Sequence, residues 1–90
     1  MTRRYIVTGR VQGVGFRWFV EREARALGIS GWVRNTDDGA VEVVASGTQD
    51  QLSRLRKALA EGPRAARVDD VLESEAQQEA GTSFRIEGAW

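Results

Sequence analysis

Residues Gly9 to Arg17 read Gly-Arg-Val-Gln-Gly-Val-Gly-Phe-Arg. Three glycines and Arg17 stand where a β-branched apolar run gives way to helical spacing. Glycine admits positive φ and lets a ligand approach the main chain. Successive backbone N–H groups in such a turn can converge into an anion-binding hollow. The helix that follows adds unpaired N–H groups and a partial positive charge. Arg17 brings a full charge and a planar donor fork suited to phosphate. The local chemistry is that of an oxyanion site, with phosphate the best match. Taken alone, the glycines would serve a plain strand-to-helix turn equally well. Two common phosphate loops are excluded. A Walker loop needs Gly-Lys followed by Ser or Thr, whereas Gly15 precedes Phe16. The dinucleotide pattern needs a further glycine where Trp18 stands.

Other chemistry is scarce. The chain has no cysteine, so it offers no disulfide, thiolate nucleophile or thiolate metal ligand. It has no histidine, which removes the commonest general base and metal ligand. The carboxylate pairs Asp37-Asp38 and Asp69-Asp70 could hold a hard cation. One lies in a turn signal and the other in an exposed-looking strand, so solvated charge is the expected role. By itself Asn35 is a strand-end residue feeding a turn. Trp18, Trp32 and Trp90 are expected to pack, with stacking on an aromatic acyl group as the alternative.

The elements that must position these residues are legible in the spacing. Tyr5 to Thr8 predicts a first strand, and the glycine loop follows. Phe16, Val20, Ala24 and Leu27 recur at helical spacing, with Gly28 where a C-cap falls. A second strand spans about Ser30 to Asn35. Thr36-Asp37-Asp38-Gly39 is a hairpin turn. In a third strand Val41, Val43 and Ala45 alternate with Glu42, Val44 and Ser46. Thr48 and Gln51 form a capping box for a second helix, whose buried stripe is Leu52, Leu55 and Leu59. Gly62-Pro63 stops it. About Arg67 to Ser74 is a fourth strand, made irregular by the adjacent Asp69 and Asp70. Phe84 and Ile86 mark a last short strand. The order is βαββαβ plus a terminal strand in one 90-residue domain, residues 1–90. It predicts an α+β, ferredoxin-like sandwich with two helices on one face of an antiparallel sheet. That fold hosts many activities and settles none.

Two motifs go further. Gly9-Arg10-Val11-Gln12-Gly13-Val14-Gly15-Phe16-Arg17 resembles the first signature of the acylphosphatases. Gly31-Trp32-Val33-Arg34-Asn35, followed by Gly39, Val41 and Gly47, resembles the second. The element order is similar too, so the resemblance covers essentially the whole chain. It implies hydrolysis of carboxyl–phosphate anhydrides without metal or other cofactor. It also implies that Arg17 binds the phosphoryl group and stabilises charge as the bond breaks. Asn35 then positions the attacking water. Gln12, Gly13, Val14, Gly15 and Phe16 supply backbone N–H groups to the phosphate, and their side chains matter less. Gly9 is structural, admitting the turn. So small a kit can suffice because an acyl phosphate is already activated, and phosphoryl transfer asks mainly for positioning and charge stabilisation.

Competing readings are a phosphate- or carbamoyl-phosphate-binding module, as at the start of hydrogenase-maturation carbamoyltransferases, and an RNA-binding domain of similar topology. The chain ends at Trp90 with no zinc-finger cysteines, which favours the free enzyme. With 13 basic and 13 acidic residues the net charge is zero, against the basic excess that nucleic-acid binding uses. The second strand offers only Trp32 where an RNA-binding sheet would carry several exposed aromatics. No apolar run approaches the roughly 20 residues of a membrane span, and no signal-peptide core precedes the first strand. The expectation is a cytoplasmic monomer that acts on small acyl phosphates and is inhibited by its product, inorganic phosphate.

Overall fold

The computed structural model describes residues 1–77 and 81–88, so Trp90 lies outside the described residues. In order, the elements are β1 (Thr2–Arg10), α1 (Phe16–Leu27), β2 (Ser30–Asn35), β3 (Val41–Ser46), α2 (Gln49–Glu61), β4 (Arg67–Glu75) and β5 (Phe84–Ile86). The sheet order is β4-β1-β3-β2-β5. The first four strands pair antiparallel. β5 extends the sheet beyond β2 and runs parallel to it, Gly31 opposite Phe84 and Val33 opposite Ile86. No hairpin joins β5 to its neighbour, so the parallel sense is open to it. The result is the expected ferredoxin-like α+β sandwich, its sheet mixed because of this last strand.

Strand periodicity builds the core. Alternation puts Tyr5 and Val7 of β1, Val33 of β2, and Val41, Val43 and Ala45 of β3 on the helix-facing side. They pack with Phe16, Val20 and Ala24 of α1 and Leu52, Leu55 and Leu59 of α2, all buried. β3 departs from the simple alternation, because Glu42 and Val44 on its other side are buried as well. The cause is a cover of long side chains. Arg4 and Arg34 close on Glu42 at 3.0 and 2.6 Å, and Trp32 lies opposite Val44. The two guanidinium groups offset the desolvation of the carboxylate. Trp32 thus packs as expected, with the Arg34 guanidinium 5.9 Å from its ring centre.

The irregularity of β4 is a β-bulge. Thr8 faces Asp70 but Gly9 faces Val68, which leaves Asp69 as the extra residue. Gly9 is still within β1, at φ 126°. A Cβ there would come within 2.2 Å of the Arg67 carbonyl oxygen. Gly9 is therefore structural for a reason other than the one expected. It admits the close approach of the bulged strand, and the turn begins later. At the other end of the chain's first half, Gly28 caps α1 and the Thr48–Gln51 box caps α2.

Candidate active site

The loop between β1 and α1 is anchored by apolar side chains at both ends. Val11 and Phe16 are buried, and Val14 packs partly against the core. Between them Gly13 and Gly15 adopt φ 74° and 79°, and an added Cβ at either would meet nothing within 4 Å. The demand for glycine here is conformational rather than spatial. Gly15 is the N-cap of α1, with no side-chain cap and no acidic residue in the first turn. The first helical bond runs from Phe19 N–H to Gly15 C=O at 3.1 Å. The N–H groups before it are outside the helix ladder, and nothing in the helix's own first turn neutralises their positive end. α2 is the contrast: it is closed by its capping box and carries Asp50 in its first turn.

Asn35 ends β2 directly opposite Val41, on the helix-facing side of the sheet. It is held there by the turn that follows. Thr36 N–H donates to Ala40 O at 2.9 Å, and Ala40 N–H donates to the Thr36 hydroxyl at 3.0 Å. The Gln12 side chain ties this hairpin to the glycine loop. Its Nε2 donates to both Thr36 O and Ala40 O, each at 2.8 Å. Gln12 therefore turns its amide away from the loop's own hollow and toward the hairpin.

Two clefts meet at Gly13, Arg17 and Asn35. One, of about 570 Å³, is completed by Gln12, Thr36, Asp37, Glu87 and Gly88. The other, of about 240 Å³, is completed by Val11, Gly15, Phe16 and Trp18. Arg17 Nη1 and Asn35 Oδ1 are buried and make no hydrogen bond among the described residues. An unsatisfied buried polar atom costs about 1–3 kcal/mol. Here one donor and one acceptor of this kind stand in the same cleft wall. Arg17 can give to an anionic oxygen while Asn35 accepts from a neutral O–H donor such as water.

The structure therefore brings Gln12, Gly13, Arg17 and Asn35 together. Gly15 and Phe16 border only the smaller cleft, and the Val14 side chain borders neither. Trp18 departs from its expected packing role. It sits on the side of α1 away from the core and is 69% exposed, because the helical stripe that buries Phe16 and Val20 turns Trp18 outward. Asp37 and Asp38 are exposed, as are Asp69 and Asp70. A hydrogen bond from the Thr36 hydroxyl, helped by the Ala40 N–H, holds the Asp38 carboxyl below the usual carboxylate range. Among the described residues no group of three or more acidic, His or Cys side chains is placed to hold a metal ion. Among the described residues no helix is long and apolar enough to cross a membrane. Sequence reading missed Glu87 and Gly88, which lie beyond β5 and reach the site only because β5 docks beside β2. No local pattern marks them.

A family model described as Acylphosphatase matches residues 3–86. The chain belongs to the acylphosphatase family. The acylphosphatase of Koribacter versatilis (strain Ellin345) is 61% identical over 90 residues, spanning 99% of this chain and 82% of that relative. The crystal structure of acylphosphatase from Bacillus subtilis superposes with a TM-score of 0.90 at 41% identity, covering 97% of this chain and 98% of that one. The structure of T. kodakarensis HypF gives 0.85 at 33% identity, covering 99% of this chain but 12% of the other. The acylphosphatase family carries the activity in its name, and this chain is an enzyme of that class, a hydrolase of acyl phosphates.

Proposed function

We propose that the chain hydrolyses the carboxyl–phosphate bond by bringing water to phosphorus, with the loop and Arg17 holding the phosphoryl group and Asn35 orienting the water. The water oxygen bonds to phosphorus as the bond from phosphorus to the acyl oxygen breaks. The electron pair leaves with the carboxylate, and the water's two protons leave with inorganic phosphate. The backbone N–H groups of Gln12, Gly13, Val14, Gly15 and Phe16 and the Arg17 fork spread charge over the phosphoryl oxygens. Asn35 accepts from the water and so aims a lone pair at phosphorus. The observation that carries this reading is the pair of buried, unpartnered atoms, Arg17 Nη1 and Asn35 Oδ1, on one cleft wall beside an uncapped helix start.

The acting form in this reading is a cytoplasmic monomer that takes small acyl phosphates, binds no nucleic acid and needs no cofactor. A hydrolysis assay with benzoyl phosphate beside a phosphate monoester, in excess chelator, tests it. Turnover of the acyl phosphate alone supports the reading. Turnover of both substrates, or activity that returns only with added Mg²⁺, contradicts it. The alternative, a phosphate- or carbamoyl-phosphate-binding module of a larger assembly, is the less favoured reading: HypF is matched over 12% of its length, the Bacillus subtilis acylphosphatase over 98%. The same assay separates the two, because a binding module holds phosphate without turning over substrate.

A further inference from the structure

Trp18 is the residue whose surroundings its own fold does not explain. It is 69% exposed, on the first turn of α1, one residue after Arg17. Phe16, Val20 and Ala24 supply the helix's buried face without it. Helical side chains lean toward the N-terminus, so the indole inclines back over the glycine loop. There it walls the smaller cleft together with Val11, Gly13, Gly15, Phe16, Arg17 and Asn35.

The two clefts share the three residues at the phosphoryl position but differ in character. The larger one carries Asp37 and Glu87. The smaller one carries no acidic side chain, and Val11, Phe16 and Trp18 give it apolar walls. An acyl phosphate has two ends to accommodate. Its acyl carbonyl is neutral until the bond breaks, when it becomes a carboxylate. Carboxylates in the larger cleft disfavour a departing anion there by like-charge repulsion. The smaller cleft imposes no such penalty and offers an indole face on which a planar acyl group can stack.

We propose that Trp18 is the acyl-group platform, so that this enzyme selects acyl phosphates with aromatic or other flat apolar acyl groups over small ones. The proposal rests on the phosphate site described above and assigns the direction in which the rest of the substrate lies. Water then approaches from the Asp37–Glu87 side, and the carboxylate leaves past Trp18.

The test is the ratio of kcat/KM for benzoyl phosphate to that for acetyl phosphate, measured in the wild type, Trp18→Ala and Trp18→Phe. An aromatic pair contributes enough to make the expected fall of the ratio about three- to tenfold in Trp18→Ala. Trp18→Phe, which keeps a ring, should restore most of it. The preference for benzylphosphonate over methylphosphonate as inhibitor should fall in Trp18→Ala by a similar factor, which separates binding from turnover. A merely structural tryptophan would move both substrates together and leave the ratio unchanged, and that result overturns the proposal. A wild type inactive on both substrates would overturn the reading of the site itself, and the proposal with it.

Discussion

The side-chain amide of Gln12 donates to the backbone carbonyl of Thr36 at 2.8 Å, joining a glycine loop to a hairpin 24 residues further along the chain. The same nitrogen reaches Ala40 O at 2.8 Å. Arg17 follows one end of this link and Asn35 precedes the other. The link thus ties the segment that carries Arg17 to the segment that carries Asn35.

Gln12→Ala should therefore remove one donor from each of two hairpin carbonyls, which keep the N–H groups of Gly39 and Thr36, and loosen Asn35 against Arg17. A net loss of about 1–2 kcal/mol in stability is expected, measured by urea unfolding. Turnover should fall by more than the stability change explains, and the amides of residues 36–40 should exchange faster. A variant with native exchange rates there and native kcat would show that the link positions nothing.

Arg17 is expected to act through its fork as well as its charge. Arg17→Ala should remove most turnover and most inhibition by inorganic phosphate. Arg17→Lys should rescue poorly, because an ammonium presents a point charge in place of two parallel donors. Steady-state kinetics with phosphate as competitive inhibitor reads both effects. Full activity in Arg17→Lys would show that charge alone is sufficient.

Tyr5 gives a pH signature unrelated to catalysis. It is buried, and burial, with the nearby Glu73 charge, raises its phenol from 10.0 to about 12. Between those values the unfolded chain has lost a proton that the native chain keeps. Stability is therefore fully present below pH 10 and declines as pH rises toward 12. Tyr5 is the only tyrosine, so a tyrosinate absorbance titration reports this group alone. Its hydroxyl donates to Leu52 O at a long 3.5 Å. Tyr5→Phe should accordingly cost little near neutrality, under about 1 kcal/mol, and should flatten the alkaline decline. An absorbance step near pH 10 in the folded protein would contradict the assignment.

Much of this was legible in the sequence because the relevant signals are local. Helix spacing at Phe16, Val20 and Ala24, the Thr48–Gln51 box and the Thr36–Gly39 turn each depend on neighbours a few residues apart. The element order then fixed the sandwich. What could not be read depends on contacts between distant segments. The bulge at Asp69 arises from the register of β4 on β1, and it is this register that makes Gly9 necessary. Glu42 and Val44 are buried only because Arg4, Trp32 and Arg34 converge from two other strands. Gln12 stood in plain view within the first motif, yet its partners lie in the hairpin. Trp18 is the converse case. A large apolar residue is normally read as core, and its outward direction follows only from where the buried stripe of α1 falls.

The division of labour between Arg17 and Asn35 is tested most directly by kcat for benzoyl phosphate in Asn35→Ala, measured beside the inhibition constant for inorganic phosphate. In the proposed mechanism Arg17 and the loop would hold the phosphoryl group in ground and transition states alike, whereas Asn35 would orient water whose attack matters only on the way to the transition state. One such positioned polar group is worth roughly 3–4 kcal/mol, or about 10²–10³ in rate. The account predicts a loss of that size in kcat with phosphate inhibition retained. It also predicts that Asn35→Asp does no better, because a carboxylate near the anionic substrate repels it and has no amide N–H to donate. Near-native kcat in Asn35→Asp, or a loss of phosphate inhibition that matches the loss of kcat in Asn35→Ala, would contradict it.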